Sequence, residues 1–140
     1  MNGYPALIPN FVPAIAIRTV RGSLLSKYAR LCIVHQVFAP RWDLVNWMIT
    51  ALIKPDSFRM SVATANGFPI AVCMVQVSSG HVAVFVIPEY RRRGVGSSLV
   101  STLCRQLERS NPSVRIRARP GDLGSAEFWR TNKIPLFPDL

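Results

Sequence analysis

The order of apolar and polar residues predicts alternating strands and helices along the chain. A short strand is expected within residues 13–20, where Ala14-Ile15-Ala16-Ile17 is apolar and a proline stands at the start. Ser23 is the predicted N-cap of a helix that extends to about Phe38, with an apolar stripe comprising Leu24, Tyr28, Leu31 and Val34 or His35. A second helix, over residues 42–54, is apolar on most of its circumference, which indicates burial or a partner surface.

The middle of the chain predicts a β-hairpin followed by a central strand. Residues 58–64 and 70–77 have strand composition, and Asn66-Gly67 between them is the strongest short-range hairpin signal. The central strand begins at His81, and the helix predicted over residues 97–109 has leucines four residues apart, at Leu99, Leu103 and Leu107. A strand over residues 114–119 and a short helix over residues 125–131 complete the order.

The junction between the central strand and the next helix has the composition of an anion-binding site. It contains Arg91, Arg92, Arg93, Gly94 and Gly96. The first turn of a helix presents backbone N–H groups without intrahelical partners, and the helix dipole places about half a positive charge there. Glycine lets the main chain approach a ligand closely, and arginine adds charge. The expected ligand is a pyrophosphate.

The string Arg91-x-x-Gly94-x-Gly96 behind an apolar strand resembles motif A of the GNAT superfamily of acyl-CoA N-acyltransferases, [QR]-x-x-G-x-[GA]. The glycine patterns of dinucleotide and P-loop sites do not occur in the sequence. A weaker resemblance lies in the last predicted helix, where Ser125 and Phe128 fit the family's spacing. The resemblance implies a single α/β domain over residues 1–140, with a mixed, mostly antiparallel sheet flanked by helices and truncated C-terminal strands.

The resemblance also implies transfer of an acetyl group from acetyl-CoA to a primary amine, on a protein or an RNA-associated acceptor, without a metal. Coenzyme A is then expected at Phe85, Val86, Ile87, Arg91, Arg92, Arg93, Gly94, Val95, Gly96 and Ser97. In relatives a bulge in the central strand presents a backbone donor to the thioester carbonyl, and the corresponding position here is Val86. Removing one such donor costs an enzyme about 3 kcal/mol.

The acid and base of the reaction are less well defined. The attacking amine must lose its proton, and a free lysine amine has a pKa of about 10.4. Glu89 is the candidate base nearest to the expected thioester; His81 is expected to face solvent, and the other candidates are His35, Asp56 and Glu127. In relatives a tyrosine commonly reprotonates the coenzyme A thiolate. Trp129 stands at that position, and its indole N–H is not a usable acid near neutral pH.

The charge of the chain leaves a second function open. With 17 Lys and Arg against 7 Asp and Glu, the formal net charge is +10. The strand predicted over residues 114–119 places Arg115, Arg117 and Arg119 on one face, either as a solvated face or toward a polyanion. The alternative is therefore a catalytically weak GNAT-fold binding or inhibitory module that engages an acidic protein or nucleic acid. Aromatic residues do not alternate with these arginines, so no motif indicates nucleic acid.

Three further features of the sequence bear on membrane association, cellular compartment and oligomeric state. The longest apolar stretch is shorter than the roughly 18 residues of a membrane span, so no membrane association is expected. Cys32, Cys73 and Cys104 are odd in number and lack metal-ligand spacing, which is typical of core residues in a cytoplasmic protein. The apolar second helix and the shortened C-terminus favour a homodimer.

Overall fold

Five strands form one sheet in the computed structural model of the chain, which describes residues 14–38, 41–119 and 123–137, without the side chains of residues 123 and 124. The strands are β1 (Ile15–Val20), β2 (Phe58–Ala65), β3 (Phe68–Gln76), β4 (His81–Val86) and β5 (Arg117–Ala118), in that order across the sheet. The first four are antiparallel, and β5 is parallel to β4. This confirms the mixed, mostly antiparallel sheet. The hairpin turn is also confirmed, because Asn66 and Gly67 both have positive φ.

Helices cover both faces of the sheet. They are α1 (Gly22–Val34), α2 (Trp42–Ile53), α3 (Val95–Ser110) and α4 (Leu123–Thr131). On β2, the Ser61 hydroxyl donates to the carbonyl oxygen of Leu99 in α3 at 2.8 Å, whereas the Phe58 ring packs against Trp47 of α2. Because side chains alternate along a strand, α2 and α3 lie on opposite faces.

The first helix differs from its predicted boundaries. α1 follows Arg21, which makes no side-chain capping bond, and the helix ends at Val34. The predicted cap at Ser23 and the predicted end near Phe38 are therefore wrong. Gln36 has a φ of 54°, in the left-handed region, which is incompatible with continuing the helix.

The predicted apolar stripe of α1 is wrong by one position. Its fully buried residues are Leu25, Ala29 and Cys32, while Leu24 and Tyr28 are only partly buried beside them. Both sets have helical spacing, so periodicity alone does not distinguish them. The small side chains of Ala29 and Cys32 let the helix lie close to its neighbours, which the bulkier stripe would prevent.

The strand predicted over residues 114–119 is reduced to two residues. Within the described part of the chain, β4 pairs with β5 only where His81 lies opposite Arg117 and Val82 opposite Ala118. Within the described residues this pairing ends at Val82, and Ala118 also pairs on its other side with Leu136. The alternating sequence predicted a longer strand, but a strand extends only as far as its hydrogen-bonding partner. The part of β4 beyond Val82 therefore has no described strand on this side, and we call it the open edge of β4.

Candidate active site

The open edge of β4 presents main-chain groups to a groove. The N–H of Ile87 donates to the carbonyl oxygen of Ile70 on β3 at 3.0 Å. Because hydrogen-bonded and non-hydrogen-bonded pairs alternate in an antiparallel ladder, the N–H and C=O groups of Val84 and Val86 point away from β3. They therefore face the side on which β5 pairs with the start of β4.

Two arginines occupy the carbonyls of this edge. Arg41 Nη1 donates to the carbonyl oxygen of Val84 at 3.3 Å, and Arg91 Nε donates to that of Val86 at 2.8 Å. The Arg91 guanidinium also lies over the ring of Phe85, with its carbon 5.4 Å from the ring centroid. The carbonyl oxygens of Val84 and Val86 thus already accept hydrogen bonds from arginine side chains, whereas the N–H groups of the same two residues face the groove.

The bulge expected in β4 is absent from its pairing with β3. The register runs without a shift from Ala71 opposite Val86 to Val75 opposite Val82. A register shift does occur in the sheet, but it lies between Ala63 and Thr64 of β2. The N–H groups of Val84 and Val86 thus point away from β3 without a bulge in this pairing.

The first turn of α3 lies at one end of the groove. Gly94 is its N-cap, with φ 77° and ψ 8°, and the N–H of Ser98 donates to the Gly94 carbonyl at 3.0 Å. The N–H groups of residues 95–97 therefore precede the first bond of the helix. A left-handed residue followed by helical ones turns successive N–H groups toward one point, an arrangement that is able to bind an anion.

The groove consists of two adjoining cavities. A cavity of about 480 Å³ lies at the first turn of α3, and a second of about 670 Å³ extends to the start of β4. The side chains of Arg41, Arg91 and Phe128 line both. Eight of the ten predicted coenzyme A residues line the first cavity: Phe85, Val86, Arg91, Arg92, Gly94, Val95, Gly96 and Ser97.

The other two predicted coenzyme A residues lie outside the groove lining. Ile87 is buried in the core, and its N–H donates to the carbonyl oxygen of Ile70 on β3. The guanidinium carbon of Arg93 lies 5.2 Å from the centroid of the Tyr90 ring. Arg93 thus contributes long-range charge to the α3 end, without being among the residues that line it.

His81 lies at the other end of the groove, and the expectation that it faces solvent is wrong. Its imidazole is half-buried, with its ring centroid 5.0 Å from that of Trp47 and 5.4 Å from that of Phe137. Burial lowers the pKa of His81, and the charges of Arg119 and Arg41 lower it further, against the opposing effect of Asp43. The imidazole is therefore neutral at pH 7 and able to accept a proton.

Asp43 is held by Arg41 beside His81. Arg41 Nε donates to Asp43 Oδ1 at 3.0 Å, and Nη2 donates to Oδ2 at 2.8 Å. These bonds lower the pKa of Asp43, so the carboxylate stays ionised near neutral pH. Because Arg41 also bonds the Val84 carbonyl, it joins the start of α2 to the open edge of β4.

The carboxylates that were candidate bases lie away from this end of the groove. Glu89 is exposed in the short helical turn Pro88–Tyr90 and does not line either cavity. Asp56 is exposed, and Glu127 pairs with Arg130 at 3.2 Å on the surface. His35 lies at the end of α1 against Phe68. Of the five candidate bases, His81 is the one that lines the groove.

Trp129 is buried and lines the larger of the two cavities. It is 5% exposed, and its ring centroid lies 5.0 Å from that of Phe128. The side chain at this position of α4 therefore does face the groove, as the tyrosine of relatives would require. An indole N–H is a donor and not an acid, so Trp129 forms part of the wall and cannot supply the acid expected at this position.

The sequence matches the acetyltransferase (GNAT) family over residues 27–132. The chain therefore belongs to the GNAT acetyltransferase family. A comparison with curated protein sequences found no match.

Solved structures with the same fold include acetyltransferases of different acceptors. Aminoglycoside acetyltransferase AAC(6')-Iy, in complex with a bisubstrate analogue of coenzyme A, has a TM-score of 0.61 at 19% identity, over 91% of this chain and 95% of that one. An aminoglycoside acetyltransferase from an uncultured soil metagenomic sample, in complex with sisomicin, has a TM-score of 0.64 at 14% identity, over 90% and 91%. A ribosomal-protein-alanine N-acetyltransferase from Brucella melitensis biovar Abortus 2308 has a TM-score of 0.59 at 13% identity, over 91% and 94%. At these identities the likeness establishes the fold and leaves the acceptor undetermined.

Among the described residues, no helix combines the length and apolar character needed to cross a membrane.

Proposed function

We propose that this protein is an acetyl-CoA-dependent N-acetyltransferase that acts on a primary amine. The observation that carries the proposal is the continuous groove from the first turn of α3, along the open edge of β4, to His81. It combines an anion site, main-chain donors and a neutral imidazole in that order. Three of the solved structures that share this fold contain coenzyme A or its bisubstrate analogue, which supports the same reading.

The α3 end would hold the pyrophosphate of coenzyme A. The N–H groups of residues 95–97 converge there, and Arg91 and Arg92 add positive charge. When bound, acetyl-CoA supplies the acetyl group as a thioester. The N–H of Val86, or of Val84 one step further along the edge, would donate to the thioester carbonyl and stabilise the charge that develops on its oxygen.

We assign the base to His81 in place of Glu89. His81 lines the groove and its lowered pKa keeps the imidazole neutral, whereas Glu89 is exposed outside the groove. His81 would accept the proton of the attacking amine, directly or through one water. Main-chain groups and a single imidazole then account for binding and proton removal.

The experiment compares acetyl-CoA binding by two glycine variants in calorimetry. Gly94→Asp places a carboxylate at the expected pyrophosphate, whereas Gly22→Asp places one at the start of α1, outside the groove. Both glycines have positive φ, 77° and 60°, and a Cβ at either would have no atom within 4 Å, so their backbone strain is comparable. We expect Gly94→Asp to abolish binding and Gly22→Asp to retain it. Equal binding by both variants, or no binding by the wild type at millimolar acetyl-CoA, would refute the site.

A second measurement tests the chemistry. His81→Gln should lower kcat for thiol release about 10²- to 10⁴-fold, the usual contribution of a general base, while acetyl-CoA binding stays unchanged.

The second candidate function is a binding module, which the indole of Trp129 at the wall of the groove favours. Coenzyme A binding without thiol release for any amine, together with salt-sensitive retention on nucleic acid or an acidic protein, would support the module.

A further inference from the structure

We infer that the acceptor is a small primary amine that also carries a carboxylate or phosphate group, and that Arg119 binds this anionic group. The inference rests on the proposed function, because it concerns the His81 end of the same groove. It is carried by the charges of the groove lining and by the position of Arg119 relative to His81.

The His81 end of the groove has an excess of positive charge. Asp43 is the one carboxylate among the described residues that line this cavity, and both of its oxygens already accept bonds from Arg41. Since His81 is neutral, the lining residues left with charge are Arg91 and Arg119. Arg91 is directed along β4 to the carbonyl of Val86, which leaves Arg119 as the lining cation at the His81 end. The guanidinium carbon of Arg117 lies 4.9 Å from the centroid of the Phe137 ring, but Arg117 is not among the lining residues.

Arg119 is adjacent to the proposed base and has no acidic partner in the described part of the chain. Its guanidinium carbon lies 4.8 Å from the centroid of the Phe137 ring, and the same ring contacts His81. The ion pairs among the described residues are Arg41 with Asp43 and Arg130 with Glu127. Phe137 offers charge complementarity through its ring face but no oxygen acceptor.

This arrangement discriminates between classes of amine. An acceptor whose own anionic group pairs with Arg119 would have its amino group directed toward His81, because both side chains contact one ring. Guanidinium groups bind carboxylates and phosphates through paired N–H donors, so the contact would also orient the acceptor. A polycation, such as a polyamine or an aminoglycoside, would instead meet Arg119 and a carboxylate that is already paired.

The activity test uses pairs of amines that differ mainly in the anionic group. We compare phosphoethanolamine with ethanolamine, and β-alanine with its amide, and include spermidine as the cation. Thiol release from acetyl-CoA gives kcat/KM for each. We expect the anionic member of at least one pair to be preferred tenfold or more, and the preference to fall with added salt. Arg119→Met should remove most of this preference, so that the anionic and neutral members of each pair have similar kcat/KM.

Arg115→Met is the matched control. Arg115 is exposed on the same segment and does not line the groove, so the variant has the same net charge as Arg119→Met and should keep the preference. A binding readout accompanies activity: phosphoethanolamine and β-alanine should shift the imidazole NMR signals of His81 in the wild type and in Arg115→Met, but not in Arg119→Met.

Three results would overturn the inference. One is equal or better turnover of the neutral amines or of spermidine. Another is an unchanged preference in Arg119→Met, and the third is a tenfold loss of acetyl-CoA affinity in that variant, which would assign Arg119 to the coenzyme. Failure of acetyl-CoA to bind the wild type would instead refute the proposed function, and the NMR binding experiment would then decide the role of Arg119 independently.

Discussion

His81 packs edge-on against Trp47, with 5.0 Å between the two ring centroids. This contact places a titratable group of β4 against an apolar side chain of α2, where a charged imidazole is poorly solvated. Phe137 contacts the same imidazole from the C-terminal segment. The groups that set its protonation are therefore two rings, the cations of Arg119 and Arg41, and the carboxylate of Asp43.

The first prediction concerns the pKa of His81. Because burial and the neighbouring arginines lower it, an NMR titration should find it below the ordinary value of about 6.5. If His81 is the base, kcat/KM should rise with pH through that same pKa. The contribution of His81 to this rise should be complete by neutral pH. Arg119→Gln should raise the pKa, because it removes a nearby cation. A value at or above 6.5, or no response to Arg119→Gln, would contradict the environment described for His81.

The same shift predicts the pH dependence of stability. With its pKa lowered in the folded state, His81 binds fewer protons when folded than when unfolded at pH values between the two pKa values. The contribution of His81 to the free energy of unfolding is therefore complete above about pH 6.5, and it is lost as the pH falls through the folded-state pKa. Urea unfolding between pH 7.5 and 5 should show a larger loss of stability in the wild type than in His81→Gln.

The second prediction concerns the turn that leads into β4. Gly80 has a φ of 75°, and a Cβ there would lie 1.8 Å from the carbonyl oxygen of Arg115. Gly80→Ala must therefore move the backbone that precedes β5, and we expect it to destabilise the protein by several kcal/mol. Gly67→Ala is the control, because Gly67 has a φ of 83° with no atom within 4 Å of its Cβ position, and strain alone costs about 1 kcal/mol. Similar unfolding midpoints for the two variants would contradict the close approach.

The local geometry at the α3 end of the groove could be predicted from the sequence, because its information is local. A strand, a glycine turn and the first turn of a helix are consecutive in the chain, so residues 85–97 contain most of what forms that end. The hairpin at Asn66-Gly67 is predictable for the same reason. The N-cap geometry at Gly94 agrees with what a glycine at a helix start indicates.

The His81 end of the groove could not be predicted, because its residues are distant in the sequence and follow no spacing rule. Arg41 precedes α2, His81 begins β4, Arg119 follows β5, and Phe137 belongs to the segment beside it. The pairing of β4 with β5 brings His81 near Arg119, the bridge between Ala118 and Leu136 adds Phe137, and the bond to the Val84 carbonyl adds Arg41. The strand period identified Arg119 as one of an arginine series but contained no information on its neighbour His81.

The third prediction concerns the thiols. Burial raises the pKa of Cys32 to about 12 and raises the pKa of Cys73 as well. Cys104 is half-buried, and burial and the charge of Glu108 raise its pKa too. Since the thiolate is the reactive form, a thiol reagent at pH 8 should label the native protein slowly and at Cys104 first. Denaturant should make all three cysteines reactive, and Cys104→Ser should remove the native-state labelling. Rapid labelling of Cys32 or Cys73 in the native protein would contradict their burial.

The last prediction separates binding from stability at Gly96. A Cβ at this position would lie 3.3 Å from Cε1 of Phe128 and 3.5 Å from Cγ2 of Val86, so Gly96→Ala must displace the Phe128 ring by a few tenths of an ångström. Phe128 lines both cavities of the groove, which gives its ring room to move inward.

Gly96 is the second residue of α3, where alanine has the higher helix propensity by up to about 1 kcal/mol. We therefore expect Gly96→Ala to retain or slightly raise the unfolding midpoint while acetyl-CoA binding weakens by about tenfold in calorimetry. The double variant Gly96→Ala with Phe128→Leu should recover affinity, because the smaller side chain removes the contact that narrows the groove. If Gly96→Ala lowered stability and left binding unchanged, the strain would have been taken up in the core and Phe128 would not form the wall of the coenzyme site.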